Sequence, residues 1–160
     1  MSNLTLILLA AGTSSRFELN VKKQWLRIKN KPLWQFVANK LENSQLFTEI
    51  IITASSEDIS YMEHYADYTF VEGGSSRQQS LKNALKEVSS EYVLVSDIAR
   101  PCIDIDFLHR LLDKQDSADC IVPYLHVTDT IVYDNQTIDR EKVKRIQTPQ
   151  LSRTNILKEA

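Results

Sequence analysis

Four short stretches place small, cationic or carboxylate residues where the phosphates of a nucleotide could be handled. AAGTSSR, Ala10 to Arg16, joins small residues, whose backbone can come close to phosphate oxygens, to the fixed positive charge of Arg16. KKQWL, Lys22 to Leu26, adds two lysines a few residues later. GGSSRQQS, Gly73 to Ser80, is a glycine pair ahead of a helical segment, open to a nucleotide base or ribose. SDIARP, Ser96 to Pro101, delivers one carboxylate, Asp97, at the end of an apolar run. A magnesium ion bridging nucleotide phosphates is commonly held by one or two carboxylates so placed. Each stretch also has a structural reading: a turn capped by Ser14 or Ser15, a solvated lysine pair, a serine-capped strand-to-helix turn, and a capping aspartate. Neither GxxxxGK[ST] nor GxGxxG occurs, so the chain carries no P-loop and no dinucleotide fingerprint.

Three of these stretches lie just after apolar runs of strand length. Leu4 to Ala10 is nearly continuous in apolar residues, as suits a strand buried on both faces of a parallel sheet. Glu49 to Ala54, Tyr68 to Glu72 and Glu91 to Asp97 read as further strands, and Ala118 to Leu125 as another. Between them lie helical periods: Leu33, Phe36, Val37 and Leu41 behind a starting Pro32; Glu57 to Ala66; Leu81, Ala84, Leu85 and Val88; and Phe107, Leu108, Leu111 and Leu112. Strand and helix in alternation predict an α/β fold, a Rossmann-like, mostly parallel twisted sheet flanked by helices. In such sheets ligands bind outside the carboxyl ends of the strands, where the stretches above fall. From Asp129 to Arg140 the pattern changes to two short extended segments around Asp134–Asn135, a hairpin-like excursion near 128–147. Arg145 to Gln150 then leads into a terminal helical segment.

With 160 residues, one hydrophobic core is expected. A net charge of −2 leaves no basic surface of the kind that neutralises a nucleic acid backbone. Cys102 and Cys120, without CxxC or Cys/His spacing, read as reduced thiols in or near the core of a cytoplasmic protein. His64, His109 and His126 are scattered and receive no catalytic role. Leu4 to Ala11 is apolar, but no Lys or Arg precedes it and Lys22–Lys23 lies on the wrong side for a signal peptide. No stretch approaches the ~20 apolar residues of a membrane span.

LLAAGTSSRF, VKKQWL, EGGSSRQQSLKNAL, VSDIARP, Asp129–Thr130 and IQTPQ, in this order and spacing, resemble the motifs of the 2-C-methyl-D-erythritol 4-phosphate cytidylyltransferases of the non-mevalonate isoprenoid pathway. The glycine loop alone resembles nucleotidyltransferases in general; GGxxRxxS, DxARP and TPQ together point to the cytidylyltransferase branch. The resemblance implies a nucleotidyltransferase fold and cytidylyl transfer from CTP to the methylerythritol phosphate, with Mg²⁺ or another divalent cation. It implies catalytic roles for Arg16, Lys23 and Arg140, and nucleotide contacts by Ala10, Ala11, Gly12, Gly74, Ser75, Ser80, Asp97 and the backbone of Ile98. Asp97 would hold the metal, while Arg140 and Thr148 would face the acceptor, a small sugar-alcohol phosphate.

The first loop reads GTSSR where many members have a second glycine, Ser75 replaces a common acidic residue, and Ile98 stands where alanine is usual. The resemblance further implies one cytidylyltransferase domain over 1–160, without the family's C-terminal segment, and a homodimer in the complete protein. It is compatible with the N-terminal part of a fusion with the cyclodiphosphate synthase of the same pathway. Two alternatives stand beside it: a related transferase using another acceptor such as ribitol 5-phosphate, and a non-catalytic nucleotide-binding or assembly module.

Overall fold

The computed structural model describes residues 3–12 and 21–160; Arg16, Ser14 and Ser15 lie outside them. The first apolar run forms β1 (Leu4–Leu9), with all six residues buried. A 3₁₀ turn (Lys23–Trp25) and a short ribbon, β2 (Arg27–Ile28) and β3 (Lys31–Pro32), lead into α1 (Leu33–Glu42), where Pro32 occupies the N-cap. Then follow β4 (Glu49–Ala54), α2 (Ser56–Met62), β5 (Thr69–Glu72), α3 (Arg77–Leu85), β6 (Tyr92–Asp97) and α4 (Ile105–Leu112). Ser55, Ser76 and Asp104 cap α2, α3 and α4 by accepting from backbone N–H groups, each contact being worth about 1 kcal/mol.

These strands make the parallel part of one six-stranded sheet, ordered β5-β4-β1-β6. Alternation along β1 divides the core in two. Leu4, Leu6 and Leu8 face Trp34, Val37 and Leu41 of α1 and Leu108 of α4, whereas Ile7 and Leu9 join Ala84 and Leu85 of α3 on the other face. Because both faces are covered, the strands read as apolar runs rather than alternating ones.

The remainder comprises β7 (Cys120–Ile121), β8 (Tyr124–His126), β9 (Ile131–Tyr133), β10 (Gln136–Ile138), a 3₁₀ turn (Arg140–Lys142), β11 (Lys144–Ile146), β12 (Gln150–Arg153) and α5 (Thr154–Glu159). The expected hairpin is β9–β10; Asp134 and Asn135, at φ 50° and 59°, have the left-handed geometry of a tight two-residue turn. β8 and β11 form a second antiparallel ribbon.

Three expectations are corrected. Ala118 to Leu125 is not one strand: Pro123, which has no N–H for a ladder, separates β7 from β8, and the two join different sheets. Arg145 to Gln150 does not pass directly into the last helix: a strand, β12, comes first and enters the main sheet antiparallel between β6 and β7 before α5 begins. Cys102 and Cys120 are both exposed, the first in the turn after β6 and the second on the edge strand β7. Among the described residues no helix is long and apolar enough to cross a membrane.

Candidate active site

The chain leaves β1 for β4 and β5 on one side and returns to β6 on the other, so strand order reverses at the β1–β6 pair. Crevices in open α/β sheets lie at such a reversal, beyond the carboxyl ends. A cavity of about 490 Å³ is found there, lined by Ala11, Gly12, Thr53, Gly74, Ser75, Arg77, Ser80 and Asp97 among others. Six of the sequence-assigned nucleotide residues therefore share one wall.

Their roles divide by what their polar groups already do. Gly73 donates its N–H to Ala54 at 2.8 Å, and Gly74 donates to Ser80 Oγ at 3.0 Å, while that hydroxyl donates to the Ser76 carbonyl at 2.9 Å. Ser80, buried, thus locks the glycine turn onto the start of α3. A Cβ at Gly73 would collide with that of Ala11, so only glycine lets the β5 end approach β1 this closely. Gly12 is open, with nothing near the position of a Cβ among the described residues. Ala10 is buried and donates to the Thr53 carbonyl at 2.9 Å; Ile98 is buried and donates to the Leu9 carbonyl at 3.1 Å. Both support the floor rather than offering an N–H to a ligand.

Asp97 is the electrostatic centre. Its Oδ1 accepts from Arg77 Nε and Nη2 at 3.3 and 3.1 Å, and its Oδ2 accepts from Thr148 Oγ1 at 3.0 Å, with Arg100 Nε 3.9 Å away. This is how Thr148, carried into place by β12, reaches the strand ends. Arg77 and Arg100 had no role assigned from the sequence. Arg77 carried a legible signal nevertheless: it is the first residue of α3, where a cation opposes the helix dipole and calls for an anion nearby. A single half-exposed carboxylate facing the cavity suits Mg²⁺, which usually completes its shell with phosphate and water oxygens. Among the described residues no group of three or more His, Cys, Asp or Glu could hold an ion by itself.

A second cavity of about 600 Å³ is lined by Arg100 and Thr148, two of the partners of Asp97, with Pro101, Phe107, Tyr124 and Gln147 among others. Lys23 and Arg140 line neither cavity. Lys23 lies in the 3₁₀ turn after the undescribed loop, half-buried. Arg140 sits on the exposed excursion, where Nη1 donates to the Thr128 carbonyl at 2.9 Å.

Lys22, the neighbour of Lys23 in the pair, is not simply solvated. Lys22 Nζ lies 2.7 Å from Oδ2 of Asp58, whose side chain is 7% exposed. Burial opposes ionisation of Asp58, but hydrogen bonds from Lys22, Trp25 and Ser55 and the lysine charge outweigh it, holding the carboxyl below its ordinary value. The sign follows: stability from this pair is complete above the ordinary aspartate range and disappears as acid takes the pH down through the depressed folded-state value. Urea titrations of wild type and Asp58→Asn in increasing acid are therefore expected to converge, the wild-type advantage vanishing below that range.

A sequence model of the family described as "IspD: 2-C-methyl-D-erythritol 4-phosphate cytidylyltransferase" matches residues 4–160. The bifunctional enzyme IspD/IspF of Sulfurimonas denitrificans is 62% identical over 160 residues, covering 100% of this chain and 42% of that protein. Among solved structures, the bifunctional IspDF from Campylobacter jejuni superimposes with a TM-score of 0.93 at 46% identity, over 99% of this chain and 42% of that one. The 2-C-methyl-D-erythritol 4-phosphate cytidylyltransferase (IspD) of Francisella tularensis gives a TM-score of 0.79 at 27% identity, over 99% and 76%. The chain thus spans less than half the length of its bifunctional relatives.

Proposed function

The chain belongs to the 2-C-methyl-D-erythritol 4-phosphate cytidylyltransferase family, and from that premise we propose that it forms one cytidylyltransferase domain that transfers a cytidylyl group from CTP to 2-C-methyl-D-erythritol 4-phosphate. The products are 4-diphosphocytidyl-2-C-methyl-D-erythritol and pyrophosphate. The observation that carries this reading is the cavity at the β1–β6 reversal, with small residues on its walls and Asp97 at its rim. Its volume is in the range of small-molecule sites.

The acceptor's phosphate oxygen attacks the α-phosphorus of CTP, and the bond to the bridging oxygen of the β-phosphate breaks. A phosphate is already an anionic nucleophile at neutral pH, so no strong base is needed. What the protein must supply is alignment and cancellation of charge between two anions. Ala11, Gly12, Gly74 and Ser75 leave room for the nucleoside and its phosphates, and Arg16 and Lys23 bind the triphosphate. A divalent cation at Asp97 would supply further positive charge to the phosphates. Arg77 and Arg100, gathered by Asp97, keep two guanidinium groups beside the path of the reacting phosphates. Thr148 and Arg140 face the acceptor, Arg140 from the excursion. The same reading makes the protein a cytoplasmic homodimer, and the exposed Val132, Tyr133 and Ile146 of the excursion offer apolar surface for the second copy.

The test is CTP-dependent pyrophosphate release across nucleotides and acceptors. Lys23→Ala and Arg16→Ala are each expected to lower kcat more than about tenfold, at least ~1.4 kcal/mol on the barrier. Near-normal turnover in both would sink the assignment, and CTP binding without any pyrophosphate release would favour a non-catalytic module.

A further inference from the structure

Outside the cavity walls, the most heavily engaged buried charge in the described residues is Asp58, and the reaction proposed above makes no use of it. It is 5% exposed and sits in the first turn of α2. Three side-chain donors converge on it from a segment more than thirty residues earlier. Lys22 Nζ and Gln24 Nε2 reach Oδ2 at 2.7 and 3.2 Å, and Trp25 Nε1 reaches Oδ1 at 2.7 Å. Lys22 also donates to Ser55 Oγ at 3.3 Å. The donors are therefore residues 22, 24 and 25, which flank Lys23 on both sides.

The backbone of the same segment is closed on itself. Trp25 N donates to the Lys22 carbonyl at 2.9 Å, and Leu26 N donates to the Lys23 carbonyl at 3.1 Å. Gln24 is buried, and the Trp25 ring meets Trp34 and Tyr61 edge-on at centroid distances of 6.3 and 6.4 Å. An ion pair with one buried member gains little stability over well-packed apolar side chains, because the Asp58 carboxylate must be stripped of water. Its value lies in geometry: a carboxylate with directional donors on either side of one residue defines that residue's backbone more narrowly than apolar packing does.

Resting on the functional reading above, we propose that Asp58 is a positioning residue for Lys23: one buried carboxylate grips the residues on both sides of that lysine and sets where its ammonium meets the CTP phosphates. Of two adjacent lysines, Asp58 takes Lys22 as its structural counter-ion and so assigns the catalytic position to Lys23.

The experiment is a double-mutant cycle read by calorimetric titration of the chain with CTP, with thermal unfolding recorded for each variant. Asp58→Asn keeps the shape and removes the charge. It is expected to raise the Kd for CTP at least about fivefold when Lys23 is present and less than about twofold in the Lys23→Ala background, because an effect transmitted through Lys23 cannot be lost twice. A general loosening of the fold would weaken both backgrounds alike, and equal losses, or no loss in either, overturn the proposal. If Asp58→Asn does not fold, Trp25→Phe removes a single donor, and the same inequality between backgrounds is required of it. Failure of the wild-type chain to bind CTP at all overturns the functional reading itself; binding by wild type with an additive cycle overturns only the role of Asp58.

Discussion

Asp97→Ala is expected to reduce CTP-dependent pyrophosphate release by about a hundredfold or more while leaving the fold intact, a loss of the size seen when one preorganised electrostatic contact to a developing charge is removed. Asp97 gathers Arg77, Arg100 and Thr148 at the end of β6. Without it the two guanidinium groups repel, Thr148 loses its acceptor, and the carboxylate that would hold a divalent ion is gone. Asp97→Asn separates these effects, since its amide oxygen can still accept from Thr148 but carries no charge. Both variants should lose turnover. Stability should change little, because ion pairs with a side chain 38% exposed to solvent are heavily screened and surface pairs contribute roughly 0–1 kcal/mol. A variant with a wild-type melting temperature and undiminished kcat in either case would remove Asp97 from the mechanism.

The largest effect on stability is expected at Trp34. It is fully buried at the start of α1 and meets Trp25 and Phe70 edge-on, with centroids 6.3 and 6.0 Å away. Trp34→Ala empties that space and should cost about 3–5 kcal/mol, against a total stability of roughly 5–15 kcal/mol for a domain. Trp34 Nε1 has no hydrogen-bond partner among the described residues. Trp34→Phe deletes this buried donor together with part of the ring, so the relief of an unsatisfied polar group offsets part of the cavity term. Its cost in urea unfolding should therefore be much smaller than that of the alanine variant; equal costs would show that neither the smaller cavity nor the loss of the unpaired donor helps the site. Because Trp25 leans on Trp34, the alanine variant should also loosen the turn that carries Lys23.

The parallel core was legible because burial on both faces makes its strands continuous apolar runs: Glu49–Ala54 was read with the bounds it has, and Tyr92–Asp97 within one residue. The hairpin was legible because Asp134–Asn135 tolerates left-handed backbone. β12 was not, since QLSR is short and mixed, and only its neighbours β6 and β7 make it a strand. Among the assigned residues, those at strand ends do converge, since strand ends are where a parallel sheet brings distant sequence together. Arg77, at the start of α3, signals that an anion is near but not which one, since Asp97 lies twenty residues on; Asp58 gives no such signal, because its partners lie more than thirty residues earlier.

The place of β12 also sets a clock. β6, almost wholly buried, is covered on one side by β1, made well before it, and on the other by β12, which begins at Gln150. Residues 98–149 must be synthesised before that second edge can close, a delay of roughly 3–10 s at ordinary rates of chain elongation. For that interval a buried strand of the sheet presents unpaired N–H and C=O groups, the kind of edge that recruits wrong partners. The strand that ends the exposure follows directly on the segment that brings Thr148 to Asp97. A nascent chain therefore leaves its aggregation-prone phase and brings Thr148 to Asp97 in the same step.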